Sequence, residues 1–255
     1  MTRKRVALIT GGCSGIGLEI TRELLRQQVQ VVAASRRASD PDYRAEIEQL
    51  IPGALVTSID VGDSASVNRC VATAVDQFGP INVVVNSAGV SNYQLVAEHS
   101  ETDWLDVIDT NLSGPFRVIR ACLADMKKQG WGRIVNIAST AARTAVVDSA
   151  SYSASKAGLL GLTRAVAIEG AAHGVSCIAV SPTWVETPMM QATAATEAAQ
   201  RGCHPDEILE EIRTANPQQR LVQPQEVAAL VAFLCSEAAP AITMEDIQIS
   251  AGAHW

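Results

Sequence analysis

The feature that most restricts the fold is the alternation of short apolar, β-branched runs with longer segments of helical period. The runs are apolar at nearly every position, which predicts strands buried on both faces, as in a parallel sheet covered by helices on each side. Seven runs are predicted strands: Arg5–Thr10, Val29–Ser35, Ala54–Ile59, Ile81–Asn86, Arg133–Ala138, Val175–Val180 and Asp246–Ser250. Amphipathic segments that predict helices include Ser64–Phe78, Thr102–Lys128 and Ser151–His173. We therefore expect one doubly wound α/β domain over residues 1–255, with helices on both faces of a seven-stranded parallel sheet.

One segment, residues 183–223, departs from this alternation. It is rich in Met, Ala and Gln and, with the prolines that flank it, spans five proline positions between Pro182 and Pro224. A structureless connection of that length is uncommon inside a compact domain, so we expect one or two short helices. The segment follows the carboxyl end of a strand, where ligands of open α/β sheets bind, and this favours a helical substrate lid. A decorated surface loop or an oligomer contact remains the alternative.

Composition excludes several classes of partner. The net charge of −7 argues against nucleic acid and anionic membrane surfaces. No apolar stretch approaches the ~20 residues that a membrane span requires. The six cysteines form no C-x-x-C pair and the four histidines form no cluster, so we expect packing cysteines, no metal site and a reduced, cytoplasmic setting.

A glycine-rich turn follows the first predicted strand and leads directly into a helical pattern. Glycines at 11, 15 and 17 permit a tight turn and a close approach of the backbone to a pyrophosphate. The helix N-terminus then offers free N–H groups to the anion. In this position the turn predicts a dinucleotide site of Rossmann type, formed here by Gly11, Cys13, Ser14, Gly15, Ile16 and Gly17.

The end of the second strand indicates which nicotinamide is used. NAD sites commonly place a carboxylate there, but this strand ends at Ser35, Arg36 and Arg37, with no acid until Asp40. A guanidinium binds a 2′-phosphate through charge-assisted hydrogen bonds, and Ser35 would add a donor. We therefore predict NADP(H), with Arg36 as the main selector. Plain surface arginines with NAD(H) as cofactor remain the alternative.

The most specific pattern for chemistry is Tyr152 followed four residues later by Lys156, with Ser139 at the end of the fifth strand. On a helix, residues four apart share a face. A free phenol has a pKa of ~10, and a nearby ammonium is expected to lower it toward the working range. Taken singly, a Tyr–Lys pair is usually a surface feature and such a serine usually caps a turn. Their joint occurrence after the glycine turn favours an acid–base site.

These motifs together resemble the short-chain dehydrogenase/reductase family over essentially the whole chain. The resemblance rests on Gly-x-x-x-Gly-x-Gly, on Ser139 with Tyr152 and Lys156, and on Asn111, Pro182 and Thr187. It implies that Tyr152 exchanges the substrate proton, Ser139 holds the substrate oxygen, Lys156 binds the nicotinamide ribose and tunes Tyr152, and Asn111 holds a relay water. The remaining cofactor contacts that it implies are Asp60, Val61, Asn86, Ala88, Gly89, Pro182, Val185 and Thr187. The chain departs from the family's pattern at Ser87, Thr183 and in the tail Ser250-Ala251-Gly252.

Within that family the chain looks most similar to 3-oxoacyl and polyketide ketoreductases. This similarity implies NADPH-dependent reduction of a ketone, either on a free molecule or on an acyl chain held as a thioester. Predicted pocket residues are Tyr93, Gln94, Val147, Trp184, Met189 and Met190, although each is also consistent with packing of the lid. Two alternatives stay open: an NAD(H)-dependent secondary-alcohol dehydrogenase that acts on a small free alcohol or ketone, and a non-catalytic dinucleotide sensor. The resemblance further implies a homotetramer or homodimer, with the apolar final residues up to Trp255 packing across the interface.

Overall fold

The computed structural model describes residues 4–145 and 147–253, which contain a single sheet of seven strands. The strands are β1 (Val6–Thr10), β2 (Gln30–Ser35), β3 (Leu55–Ser58), β4 (Val83–Asn86), β5 (Gly132–Ile137), β6 (Val175–Pro182) and β7 (Asp246–Ile249). Every pairing is parallel, and the strand order is 3-2-1-4-5-6-7. The predicted doubly wound α/β fold is confirmed, and each predicted strand is present with ends within two residues.

Nine α-helices connect the strands in the described part of the chain. They are α1 (Gly15–Arg26), α2 (Pro41–Leu50), α3 (Ser64–Phe78), α4 (Glu101–Ile108), α5 (Gly114–Gln129), α6 (Ala150–Ala171), α7 (Pro188–Arg201), α8 (Pro205–Ala215) and α9 (Pro224–Leu234). Helices α7 and α8 occupy the segment predicted to carry one or two helices. Each begins with a proline in its first turn, where the missing N–H costs nothing.

The sheet is buried on both faces, as its apolar strands require. Successive residues of β1 alternate between two hydrophobic cores: Ala7 and Ile9 pack with α1 and α9, whereas Val6 and Leu8 pack with α3, α5 and α6. Side chains of a strand point alternately to opposite faces, so a run that is apolar throughout needs two covering layers.

Strands β1 and β4 are neighbours in the sheet, although β2 and β3 separate them in the sequence. The strand order reverses between these two neighbours, which makes this the topological switch point of the sheet. The connections from these two strands leave toward opposite faces, and a crevice opens beyond their carboxyl ends. Gly11 follows β1 and Ser87 follows β4, so the glycine turn lies at one wall of that crevice.

The sequence predicted one helix over Thr102–Lys128, but a π-helical turn at Asp109–Ser113 interrupts it between α4 and α5. Such turns have i→i+5 hydrogen bonds and are rare. A single turn of this kind does not alter the apolar periodicity enough to be predicted from the sequence. No helix in the described ranges has the length and apolar character needed to cross a bilayer. The expectation for Trp255 lies outside the described residues.

Candidate active site

A cavity of about 400 Å³ lies at the switch point and extends from the end of β2 to helix α7. Its wall includes most of the residues that the sequence predicted to hold a cofactor. These are Gly11, Ser14, Gly15, Ile16, Gly17, Ser35, Arg36, Arg37, Asp60, Val61, Ala88, Gly89, Pro182, Val185 and Thr187. Ser139, Tyr152 and Lys156 line the same cavity. Residues separated by more than a hundred positions are thus brought into one site.

The glycine turn is packed so closely that side chains are excluded from it. A Cβ at Gly17 would lie 2.2 Å from the carbonyl oxygen of Gly11, and one at Gly11 would lie 2.9 Å from the amide nitrogen of Ala88. Gly11 also has φ of +68°, which disfavours other residues. The turn therefore brings bare backbone to the cavity at the start of α1, where N–H groups point outward.

Near the end of β2 the cavity wall carries polar groups without protein partners. The Ser35 hydroxyl oxygen is buried and makes no hydrogen bond in the described part of the chain. The Arg37 guanidinium stacks 4.0 Å from the ring centre of Tyr43, but no side-chain partner of Arg36 exists among the described residues. A free guanidinium beside an unpaired hydroxyl suits a bound anion.

Helix α6 places Tyr152 and Lys156 on one side of the cavity, one helical turn apart. Lys156 is 5% exposed, and its ammonium nitrogen lies 5.5 Å from the centre of the Tyr152 ring. It donates a hydrogen bond to the Ile137 carbonyl at the end of β5, at 2.8 Å. This bond ties the helix that carries both side chains to the strand that precedes Ser139.

Burial dominates the acid–base behaviour of this pair. Desolvation raises the pKa of Tyr152 to about 12, although a hydrogen bond from Ser139 opposes the shift. Desolvation lowers the pKa of Lys156 to about 8. The expectation that the pKa of Tyr152 is lowered is therefore wrong for the chain by itself, because burial disfavours the phenolate form.

The depressed pKa of Lys156 makes stability depend on pH. Between about 8 and the ordinary value of 10.5, the folded chain binds fewer protons than the unfolded chain, so stability rises with pH in that window. We expect the free energy of unfolding of the wild type to gain about 2 kcal/mol relative to Lys156→Met between pH 7 and pH 10. Urea denaturation at several pH values measures this difference.

The matched control for that experiment is Lys128→Met, since the Lys128 side chain is 77% exposed. Its pH dependence is expected to follow the wild type. Parallel curves for the wild type and Lys156→Met would show that Lys156 stays charged at no cost in the folded chain.

Asn111 lies in the π-helical turn and is buried behind the cavity wall. Its side-chain amide donates to the Val90 carbonyl at 2.8 Å and to the Ser155 hydroxyl at 3.1 Å, and its oxygen accepts from the Val90 amide at 2.9 Å. A Cβ placed on Gly89 would lie 3.4 Å from the Asn111 oxygen and 3.7 Å from the Lys156 nitrogen. Asn111 and Lys156 therefore approach each other across Gly89.

Some predicted residues lie outside the cavity wall. Cys13 and Asn86 are buried beneath it, where the Cys13 thiol faces the Ala33 carbonyl and the Asn86 amide donates to Asn136. Gln94 instead binds the Asp103 carboxylate at 3.0 Å, and Val147 is 76% exposed. Of the predicted pocket residues, the wall retains Tyr93, Trp184, Met189 and Met190.

The wall also contains residues that sequence reasoning missed. They include Tyr43, Ser91, Thr144, Ser149, Thr183 and Thr193. Thr183 stood out in the sequence only as a departure from the family's glycine, and Thr193 faces the cavity only because α7 folds over it. In the described ranges, no group of three His, Cys, Asp or Glu side chains is arranged to hold a metal ion.

Comparison with known proteins adds independent findings. A family model described as short chain dehydrogenase matches residues 5–198. The chain is 41% identical over 253 residues to a ketoacyl reductase of the monensin polyketide synthase from Streptomyces virginiae, which covers 97% of this chain and 96% of that protein. A ketoacyl reductase of Streptomyces coelicolor is 38% identical over 252 residues, with the same shares covered. A crystal structure of a variant actinorhodin polyketide ketoreductase with NADPH superimposes with a TM-score of 0.91 at 37% identity, covering 99% of this chain and 98% of that one.

Proposed function

The chain belongs to the short-chain dehydrogenase family, and on that premise we propose that it uses NADP(H) to reduce a ketone to a secondary alcohol, with Tyr152 as the acid. It is an oxidoreductase of the ketoreductase type. The observation that carries the proposal is the meeting of Ser139, Tyr152 and Lys156 on the wall of a cavity whose other end is a glycine turn.

The residues of the cavity fit a dinucleotide. Its pyrophosphate would lie against the turn of Gly11 to Gly17, whose close packing brings bare backbone and the N–H groups at the start of α1 to the cavity. Asp60 and Val61 would border the adenine, while Val185 and Thr187 would orient the nicotinamide. When bound, the nicotinamide supplies or accepts the hydride.

The preference for NADP(H) rests on the end of β2. Within the described ranges the Arg36 guanidinium and the Ser35 hydroxyl have no hydrogen-bond partner, and β2 ends without a carboxylate that would repel a 2′-phosphate. The relative crystallised with NADPH supports the same choice.

Tyr152 is the group that would give its proton to the carbonyl oxygen during reduction. Ser139 accepts a hydrogen bond from the Ala141 amide at 3.1 Å and lies beside Tyr152, so its hydroxyl would turn to donate to the same carbonyl oxygen when substrate binds. Lys156 donates one N–H to the Ile137 carbonyl, and its other N–H groups would donate to the ribose hydroxyls. A positive charge brought next to a phenol favours its anionic form, so Lys156 would help Tyr152 to release its proton.

The substrate end of the cavity is formed by Tyr93, Trp184, Met189 and Met190, which suits a ketone with an aliphatic or aromatic body. A 3-oxoacyl or polyketide-type carbonyl is the substrate class that the ketoacyl reductase relatives support. Small neutral ketones are the second class that this apolar wall suits.

A spectrophotometric panel tests the proposal. Purified protein is assayed with NADPH and with NADH against 3-oxoacyl thioesters and small ketones, and with NADP⁺ and with NAD⁺ against secondary alcohols. We expect NADPH-dependent reduction of ketones to have the highest kcat/KM. A higher kcat/KM for NAD⁺ with secondary alcohols would instead identify an alcohol dehydrogenase, and the absence of turnover with every pair would refute the proposal.

Arg36 provides a separate test of cofactor choice. Arg36→Glu is expected to raise the KM for NADPH about tenfold or more, because a carboxylate replaces the guanidinium beside the 2′-phosphate. The KM for NADH should change far less. Arg26→Glu, the same charge change at the far end of α1, is the control and should leave both KM values unchanged. Equal effects of Arg36→Glu on the two cofactors would exclude a role in discrimination.

A further inference from the structure

The short turn after β5 forms the wall on which Ser139 lies. It continues as a 3₁₀ turn over Thr140–Ala142, and the Ser139 hydroxyl caps that turn by accepting from the Ala141 amide. Arg143 closes the turn, with its backbone amide donating to the Thr140 carbonyl at 3.0 Å. The position of the Ser139 hydroxyl therefore depends on where this turn is held.

The turn is held by a carboxylate on another strand. The Arg143 guanidinium donates to Asp246 at the start of β7, with 2.6 Å from Nε to Oδ2, and also approaches the Asp246 carbonyl at 3.4 Å. The Ser181 hydroxyl on β6 donates to the other carboxylate oxygen of Asp246. Both oxygens of the carboxylate are thus occupied by groups from two different elements.

Burial makes this contact more costly to break than an ordinary surface ion pair. The Asp246 side chain is only 8% exposed, and Ser181 is fully buried, although half of Arg143 remains exposed. Exposed ion pairs contribute little, but a carboxylate that is removed from water and has lost its partner is costly. Since β6 and β7 belong to the rigid sheet, Asp246 anchors the turn to a fixed frame.

We propose that Asp246, through Arg143, is a positioning residue for Ser139. The edge strand β7 would then set where the Ser139 hydroxyl lies relative to the substrate carbonyl during proton transfer. The proposal rests on the proposed function, because it takes Ser139 and Tyr152 to be the groups that contact the carbonyl oxygen. Small displacements of such groups lower the rate of the chemical step far more than they weaken binding.

The test combines kinetics with hydrogen exchange on Asp246→Ala, Asp246→Asn and Arg143→Met. We expect kcat for ketone reduction to fall about tenfold or more in Asp246→Ala. The Kd for NADPH, measured by its fluorescence, should change less than twofold. Exchange of backbone amides in residues 139–145 should accelerate without NADPH, and Asp246→Asn, which keeps the shape and one acceptor, should recover part of kcat. Because Asp246 and Arg143 act through one contact, their double variant should lose no more than the worse single variant.

The matched control is Glu169→Gln, which breaks an ion pair with Lys127 of the same 2.6 Å length between α5 and α6, outside the cavity wall. It should leave kcat unchanged. The proposal is overturned if both Asp246→Asn and Arg143→Met keep kcat within twofold of this control. A fall in NADPH affinity as large as the fall in kcat, or multiplying losses in the double variant, would also overturn it. If the wild type reduces no carbonyl compound, the proposed function fails instead, and the exchange experiment still reports whether Asp246 holds the turn.

Discussion

Replacement of Tyr152 by phenylalanine is expected to lower kcat for ketone reduction by about a thousandfold, because the proton that neutralises the developing alkoxide then has no positioned donor. The ring stays in place, so the apolar contacts of α6 are kept and the Kd for NADPH should change little. Lys156 is not placed to substitute, since its ammonium donates to the Ile137 carbonyl and lies 5.5 Å from the centre of the Tyr152 ring. Steady-state kinetics and NADPH fluorescence measure the two quantities.

Tyr43→Phe is the matched control for this prediction. Tyr43 also lines the cavity, but its hydroxyl donates to the Cys13 carbonyl, at 3.4 Å, and its ring carries the stacked Arg37 guanidinium, away from Ser139 and Tyr152 near the end of β2. Its loss of a hydroxyl should leave kcat within a few-fold of the wild type. A Tyr152→Phe protein that turns over as fast as Tyr43→Phe would exclude Tyr152 as the acid.

Gly17→Ala is expected to cause the largest loss of stability and of cofactor binding among single-methyl changes in the turn. The new Cβ would lie 2.2 Å from the Gly11 carbonyl oxygen, and the obstacle is backbone, which has no rotamer to yield. Either α1 moves away from the turn or the turn opens, at a cost of about 3 kcal/mol, the upper end for overpacking. Both movements displace the N–H groups that would hold the pyrophosphate. Denaturant unfolding and NADPH titration check the two effects.

Gly161→Ala offers the opposite expectation from the same substitution. Gly161 lies inside α6, and a Cβ there would meet nothing within 4 Å. Alanine in a helix interior is favoured over glycine by about 1 kcal/mol, so this variant should be slightly more stable. If Gly17→Ala had the same free energy of unfolding as Gly161→Ala, the close approach of Gly17 to the Gly11 carbonyl would not restrict the residue at position 17.

Local signals in the sequence determined the fold and the centre of the site. Strands that are apolar at every position can be satisfied only by burial on both faces, and this predicted the parallel sheet and its helices correctly. Glycines 11, 15 and 17 and the pair Tyr152 and Lys156 are close in sequence, so the geometry of one turn or one helix predicts their arrangement. The proposed role of Arg36 likewise rests on its place at a strand end.

Only the tertiary structure decided features that depend on distant segments. The π-helical turn that carries Asn111, the wall position of Thr193 and the bond between Arg143 and Asp246 each join parts of the chain that no local period relates. The pKa values of Tyr152 and Lys156 also depend on the tertiary structure. Sequence spacing placed an ammonium near Tyr152, but the burial of both groups raises the pKa of the phenol, because desolvation depends on everything packed around it.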